Sequence, residues 1–207
     1  MKHFGVTVLE GNRGLKLDRE HYAMPDTRNS IGGPPYSAEW CELHRLECIE
    51  NFDLNMQFFS SLNHADMEKE LQNFLKIHPE FVEINDLSQY AKVAGYYIMV
   101  LDGYCQLYIG TTTDIKHRIW EHWTFPRPFD RLIYGTKYSS KLSIDSFRAL
   151  DTTRIFVYPT SETYIKENAY IECFSNQFLC NRQAGGLRPD GMMCLADFEM
   201  MNRKLRQ

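Results

Sequence analysis

The sequence predicts an α/β chain of the α+β type, with a small, mainly antiparallel central β-sheet flanked by helices and a mostly helical N-terminal extension. Three observations lead to this prediction: a hairpin pattern over residues 95–110, an amphipathic helix pattern directly after it, and a long helical periodicity that begins at Ser37. The chain has 207 residues, of which 43% are hydrophobic and 14% aromatic, so it has enough apolar material for a packed core.

The N-terminal part is predicted to be a short hairpin followed by helices. The stretch FGVTVLEGNRGLKL is typical of a hairpin, and MPDTRNSIGGPP is dense in residues that break regular structure. One helix is predicted from Ser37, and a second one ends at Pro79. We therefore expect a helical module over residues 1–88, a central domain over residues 89–185 and a helical tail over residues 186–207.

The stretch GYYIMVLDGYCQLYIG predicts the central hairpin. Asp102-Gly103 between two apolar runs favours a two-residue turn, because a type I′ turn requires positive φ at both positions. With that turn, Tyr97 lies directly opposite Tyr108, and the two phenols stand side by side on one face of the hairpin. The other face is apolar and is expected to lie on the core. A pair of tyrosines is also an ordinary way to stabilise two strands, so the hairpin alone indicates no function.

The stretch TTTDIKHRIWEHW, which follows the hairpin, predicts an amphipathic helix. Thr112 or Thr113 can act as its N-cap. Its buried stripe is predicted to consist of Ile115, Ile119 and Trp123. Arg118 and His122 are four residues apart and project from one flank beside that stripe. A solvated helix edge would account for this pair equally well, but the helix starts where the Tyr108 strand ends, so the flank is expected near the two tyrosines.

A third helix is predicted in TSETYIKENAYIECF, starting from Thr160 or Ser161. Its apolar face is predicted to consist of Tyr164, Tyr170, Ile171 and Phe174. Glu167 falls in the middle of that face, where an ionised carboxylate is costly unless it is paired or binds a metal. Helix spacing leaves both possibilities open: an ion pair with Arg118 or Arg154, or a metal ligand.

Taken together, these residues resemble the GIY-YIG nuclease family over about residues 93 to 183. The two motifs of the family name correspond to Gly95-Tyr96-Tyr97 and Tyr108-Ile109-Gly110, with Tyr96 where the family usually has Ile or Val. The helix motif that follows in the family is matched by Thr112, Asp114, Ile115, Arg118 and His122. The family's glutamate, hydrophobic pair and asparagine are matched by Glu167, Tyr170-Ile171 and Asn181.

The resemblance implies a metal-dependent endonuclease that hydrolyses DNA phosphodiester bonds. The implied catalytic residues are Tyr97, Tyr108, Arg118, His122, Glu167 and Asn181. Tyr97 is expected to be the general base for the attacking water, with Tyr108 and His122 orienting it. Arg118 is expected to bind the phosphate, and Glu167 to hold one Mg²⁺ or Mn²⁺. Because a free tyrosine has a pKa of about 10, only about 0.1% is ionised at pH 7, so the role of Tyr97 requires a lowered pKa or a proton relay.

The resemblance also has departures, and they keep a second function open. Tyr96 should lie on the core side of its strand and should not touch the chemistry. The stretch from Trp123 to Leu150 is long and is predicted to be mostly loop, which bears on substrate choice. The proline that is usual just before the final asparagine is absent. The alternative to a nuclease is a catalytically inactive module of the same fold that binds DNA or docks a partner.

Charge is distributed unevenly along the chain. The overall net charge is −4, with −7 over residues 1–110 and +3 over residues 111–207. We expect phosphate contacts in the second half only, and a protein partner or a second copy of the chain on the acidic N-terminal module. The N-terminal residues lack a signal-peptide pattern and no segment is apolar enough to span a membrane, so we expect a cytoplasmic protein with no membrane partner and with reduced cysteines.

Overall fold

The computed structural model describes residues 1–11 and 13–181, so the predicted C-terminal helical tail lies outside the described residues. A four-stranded antiparallel sheet, in the order β3-β6-β4-β5, lies at the centre. Its strands are β3 (Val82–Ile84), β4 (Gly95–Leu101), β5 (Gln106–Thr112) and β6 (Arg154–Pro159). A separate hairpin is formed by β1 (Lys2–His3) and β2 (Val6–Thr7). The mixed α/β class with an antiparallel central sheet is therefore confirmed.

Five α-helices occur in the described residues: α1 (Arg19–Tyr22), α2 (Ala38–Ser60), α3 (His64–Ile77), α4 (Ile115–Thr124) and α5 (Glu167–Ile171). The side chains of Ser37 and Asn63 cap the N-termini of α2 and α3. The α3 helix ends two residues before Pro79, and its sequence predicts an end at that proline. β3 comes before the domain boundary that we predict at residue 88, yet it pairs with β6. The division into domains stays a prediction.

Both faces of the sheet are buried, whereas the hairpin pattern predicts only one apolar face on the core. The Tyr96 face, which includes Ile98 and Val100, packs against apolar residues of α3 and α5. The Tyr97 face, which includes Met99 and Leu101, packs against α2 and α4. The long N-terminal helix therefore covers the face that carries the two tyrosines, and the molecule has three layers.

The predicted register of the central hairpin is wrong by two residues. Tyr97 pairs with Gly110, and Tyr108 pairs with Met99. The connection is a four-residue loop with a 3₁₀ turn over Asp102–Tyr104, followed by Cys105 in the left-handed region at φ 50°. The two-residue turn would need positive φ at Asp102 and Gly103, which neither residue adopts. A shift of two residues leaves each side chain on its predicted face, so Tyr97 and Tyr108 are still on the same side, as diagonal neighbours.

The helices around the site start later than their sequences predict. Asp114, rather than Thr112 or Thr113, is the N-cap of α4, and its carboxylate accepts a hydrogen bond from the backbone N–H of His117 at 2.9 Å. The α5 helix begins at Glu167 instead of Thr160 or Ser161. The preceding residues form an irregular loop in which Tyr164 has a φ of 66°.

The connection between α4 and β6, residues 125–153, contains no α-helix or strand. It is nevertheless packed in the core through Phe129, Leu132, Leu142, Ile144 and Phe147. Two buried asparagines of α2 hold it by its backbone: the Asn51 amide donates to the carbonyl of Ser140 at 2.8 Å, and the Asn55 side chain accepts from the N–H of Leu142 at 3.3 Å. The connection is therefore a fixed part of the fold.

Candidate active site

Tyr97 and Tyr108 lie diagonally across β4 and β5, with their ring centroids 6.1 Å apart. Tyr97 is 0% exposed, whereas Tyr108 is partly exposed. The Tyr97 phenol crosses directly over its partner Gly110, where a Cβ atom would come within 2.5 Å of both Cζ and Oη of Tyr97. The glycine of the second motif is therefore needed because the phenol of the first motif occupies the space of its side chain.

His122 connects Tyr97 to an acidic residue that the sequence analysis missed. The His122 side chain is 1% exposed, so the pair Arg118 and His122 is not a solvated helix edge. The Nε2 atom of His122 lies 2.9 Å from Oη of Tyr97, and its Nδ1 atom lies 2.6 Å from Oδ1 of Asp145. The ring centroids of Tyr108 and His122 are 4.9 Å apart, edge to face. Three side chains thus form one hydrogen-bonded line, with Tyr108 beside it.

Asp145 belongs to the 3₁₀ turn Ile144–Ser146 of the α4–β6 connection. Its second carboxylate oxygen forms an ion pair with Arg127 at 3.1 Å, and the Arg148 guanidinium binds its backbone carbonyl. Asp145 is 23 residues from His122, and the chain between them has no periodic pattern beyond α4. A sequence pattern could not have indicated this contact, because only the tertiary packing of the connection creates it.

Arg118 lies at the rim of the site on the same flank of α4 as His122. Its side chain is 43% exposed and forms an ion pair with Glu121 at 3.1 Å. The pKa values of Tyr97, Tyr108 and Glu167 are all raised by burial, and the charge of the Arg118 guanidinium opposes the rise at each of them. Arg118 and the partly exposed Tyr108 are thus the groups through which the buried part of the site meets solvent.

Glu167 is 5% exposed and is the first residue of α5. Burial raises the pKa of its carboxyl to about 7, although the backbone N–H of Thr111 and the charge of Arg118 oppose the shift. Within the described residues, no cationic side chain lies within 4 Å of it. Arg154 instead pairs with Glu68 and Asp102, and Arg118 with Glu121. The ion pair that the sequence left open is therefore not formed in the described residues.

Tyr96, the departure from the family motif, fixes the backbone in front of Glu167. Its hydroxyl accepts hydrogen bonds from the N–H groups of Ile165 and Lys166 at 3.1 and 3.0 Å, and donates one to the carbonyl of Glu162 at 2.7 Å. An isoleucine or valine could make none of these bonds. Tyr96 does not touch the reacting groups, as expected, but it holds the segment from which Glu167 projects.

Asn181 binds the backbone of β5 with both polar atoms of its side chain instead of facing this cluster. Its amide donates to the carbonyl of Ile109 at 2.8 Å and its side-chain oxygen accepts from the N–H of the same residue at 3.1 Å. Both bonds hold the chain after α5 against the outer edge of β5, next to Tyr108. The contact supports the strand that carries a catalytic candidate.

The charge state of the buried cluster follows from its surroundings. Burial raises the pKa of Tyr97 well above its usual value, and Tyr108 adds to this shift. Burial also lowers the pKa of His122, against the effect of Asp145. For Asp145, burial alone would raise the pKa, but the hydrogen bond from His122 and the charges of Arg127 and Arg118 oppose it, and its pKa is lowered. The resting site therefore holds a neutral phenol, a neutral imidazole and a carboxylate.

Glu167 alone could hold a divalent cation only together with water or substrate oxygens. The described residues contain no group of three or more His, Cys, Asp or Glu side chains that could hold a metal. Mg²⁺ is commonly held by one or two carboxylates, several waters and the phosphates of a substrate. A buried carboxylate without a cationic partner, next to a half-exposed arginine, fits that mode of binding.

Several basic residues of the positively charged second half of the chain have partners within the fold. Lys137 pairs with Glu50, Arg127 with Asp145, and Arg154 with two carboxylates. Arg148 and Lys141 are buried. Two further basic residues, Arg182 and Arg188, lie outside the described residues. In the described residues, Arg118 also has an acidic partner, Glu121, but its side chain is 43% exposed and can exchange that partner for a phosphate.

Comparisons of this chain with protein-family models, curated proteins and solved structures find no match. None of the helices in the described residues has both the length and the apolar character needed to cross a bilayer.

Proposed function

We propose that this protein is a metal-dependent endonuclease that hydrolyses DNA phosphodiester bonds. The observation that carries the proposal is the buried Glu167 carboxylate, which has no cationic side chain within 4 Å in the described residues and lies near Arg118 and the two tyrosines. An ionised carboxylate in that position destabilises the fold unless it binds a cation. The order and spacing of the motifs, similar to those of GIY-YIG nucleases, point to the same chemistry.

In the proposed reaction, Arg118 binds a non-bridging oxygen of the scissile phosphate through charge-assisted hydrogen bonds. The guanidinium leaves Glu121 to bind the phosphate. Tyr97 is fully buried in the free protein, so the reaction also requires that the attacking water gain access to its Oη. Tyr97 then accepts a proton from the attacking water, while Tyr108 and His122 hold the phenol in place. Glu167 would hold Mg²⁺ or Mn²⁺, which would supply Lewis-acid stabilisation of the charge that develops in the reaction.

One observation favours the alternative of a binding module that does not cleave. Tyr97 is 0% exposed, and Arg127 and Lys137 of the positively charged second half have acidic partners within the fold. A protein that binds DNA or docks a partner without chemistry would need no access to Tyr97. A protein partner or a second copy on the acidic N-terminal half is compatible with either function and stays a prediction.

The test compares plasmid cleavage by three forms of the protein. Supercoiled plasmid is incubated with Mg²⁺ or Mn²⁺ and the wild type, Glu167→Gln or Glu172→Gln. Glu172 is exposed and follows α5 directly, so its variant is a matched control for the loss of one carboxylate. We expect nicking or linearisation by the wild type and the control, and none by Glu167→Gln or in EDTA. Equal plasmid binding by all forms without cleavage would instead favour the binding module.

A further inference from the structure

The side chains of Asp145, His122 and Tyr97 form a continuous line of two hydrogen bonds in the site. Its two hydrogen bonds measure 2.6 and 2.9 Å, and the imidazole between them is almost fully buried. Asp145 is itself held from two sides, by Arg127 on a carboxylate oxygen and by Arg148 on its backbone carbonyl. A carboxylate that is fixed in this way can fix the imidazole in turn.

The hydrogen bonds determine which nitrogen of His122 carries the proton. An ionised Asp145 can only accept a hydrogen bond, so Nδ1 must be the protonated nitrogen of the neutral imidazole. Nε2 then has a free lone pair, and the Tyr97 hydroxyl must donate to it. The contact directs the phenol proton at a base. The second lone pair of Oη, toward which Arg118 donates in the free protein, can accept another proton once Arg118 binds the phosphate instead.

We propose that Asp145 is a positioning residue for the cleavage reaction, holding His122 in the Nδ1–H tautomer so that Nε2 can receive the phenol proton of Tyr97. This inference rests on the proposed nuclease function. As the attacking water loses a proton to Oη of Tyr97, Tyr97 passes its own proton to Nε2. The water oxygen bonds to phosphorus and the bond to the leaving oxygen breaks. The leaving alkoxide takes a proton from solvent, and the Nε2 proton returns to solvent through Tyr97.

The relay resolves the difficulty that a tyrosine base poses in this protein. The burial of Tyr97 raises its pKa and so disfavours a standing phenolate, but a concerted transfer does not require one. The imidazolium that forms is paired with the Asp145 carboxylate, as a buried charge must be. The other groups that face the imidazole are Tyr97 and Tyr108 from the sheet and Arg118 and Glu121 from α4. Asp145 is thus the acidic partner in direct hydrogen-bond contact with the ring.

The first measurement is the tautomer of His122 in the metal-free wild type, from the ¹⁵N shifts and two-bond ¹H–¹⁵N correlations of its ring. We expect a protonated Nδ1 and an unprotonated Nε2. Asp145→Asn should lose this fixed tautomer, because an amide can donate to Nδ1 as well as accept from it. Asp145→Glu keeps a carboxylate and should keep the Nδ1–H form. A wild-type ring protonated at Nε2 would overturn the proposal without any variant having to fold.

The second measurement is metal-dependent plasmid cleavage by the same variants. We expect Asp145→Asn to lower kcat by at least ~10²-fold with little change in KM, because general-base contributions are typically 10²–10⁴-fold. Asp145→Glu should fall between that variant and the wild type, and the exposed control Asp66→Asn should match the wild type. Cleavage by Asp145→Asn at the wild-type rate would overturn the inference and leave the nuclease function standing. Absence of cleavage by the wild type would overturn both.

Discussion

Gly110 is the residue against which the Tyr97 phenol rests, and this contact gives a sharp test of the site. Gly110→Ala would place a methyl group within 2.5 Å of Cζ and Oη of Tyr97, which forces the phenol away from His122. We expect a loss of about 1–3 kcal/mol in the free energy of unfolding, and cleavage reduced at least ~10²-fold. Thermal unfolding and plasmid cleavage measure the two effects.

The matched control is Gly103→Ala in the hairpin loop, where an added Cβ meets nothing within 4 Å. Gly103→Ala should leave both stability and cleavage close to wild type. If Gly110→Ala also left stability and cleavage unchanged, the close contact between the Tyr97 phenol and Gly110 would be contradicted.

Tyr96 offers a second test at the level of one hydroxyl. Tyr96→Phe leaves the N–H groups of Ile165 and Lys166 without their acceptor, which should cost about 1–3 kcal/mol of stability. The variant should also need a higher Mg²⁺ concentration for half-maximal cleavage, since the loop before Glu167 is released. Tyr158→Phe is the control, because the Tyr158 ring stacks on Tyr96 but its hydroxyl makes no hydrogen bond within the described residues. An unchanged Mg²⁺ requirement for Tyr96→Phe would contradict this role.

The raised pKa of Glu167 predicts an unusual pH dependence of stability in the absence of metal. Its folded pKa of about 7 exceeds the ordinary value of 4.5, so between these values the folded protein binds more protons than the unfolded chain. Stability therefore falls as pH rises through that window and is fully restored below about pH 4.5. In EDTA at pH 8, Glu167→Gln should be more stable than the wild type by about 1–3 kcal/mol. Urea unfolding across pH 4.5–8 measures the difference, and the exposed control Glu172→Gln should track the wild type.

The elements around the site differ in how far their sequences determine them. The apolar stripe of α4 is buried as predicted, because a local period of four residues decides it. The predicted turn of the hairpin and the predicted start of α5 are wrong, because tertiary contacts override the local sequence signals. Before α5, the Tyr96 hydroxyl binds backbone groups that a longer helix would have used itself. Asp145 had no local signal, since packing alone brings it to His122.

At the level of secondary-structure elements, the hydrogen bonds from α2 to the α4–β6 connection are expected to affect function, because that connection carries Asp145. Asn51 and Asn55 bind the backbone of residues 137–142, a few residues before Asp145. Asn51→Ala together with Asn55→Ala should speed hydrogen exchange over residues 137–146 and lower kcat, because Asp145 loses its fixed position.

The control for this double variant is Asn73→Ala, an exposed asparagine of α3. It should leave both hydrogen exchange over residues 137–146 and kcat unchanged. Normal exchange in the double variant would show that the connection is held by its apolar residues alone.

At the scale of the whole molecule, contacts cross the domain boundary that the sequence predicts at residue 88. Residues 1–88 supply β3 at the edge of the central sheet and the helices that cover both of its faces. A fragment of residues 89–185 should therefore lack a cooperative unfolding transition by circular dichroism and should not cleave plasmid. A fragment that folds and cleaves on its own would contradict this expectation.

The two asparagines of α2 also bear on how such a site could be altered or reused. Transplanting the tyrosine hairpin and α4 into another scaffold would carry over Tyr97, Tyr108, Arg118 and His122, but would leave behind the support of Asp145. The N-terminal helices contain none of the candidate catalytic residues. Without them, the grafted His122 would lose the support that keeps its Nε2 lone pair directed at the Tyr97 hydroxyl. Engineering of substrate choice through the α4–β6 connection would meet the same constraint, since any change in its length would move Asp145 along with the loop.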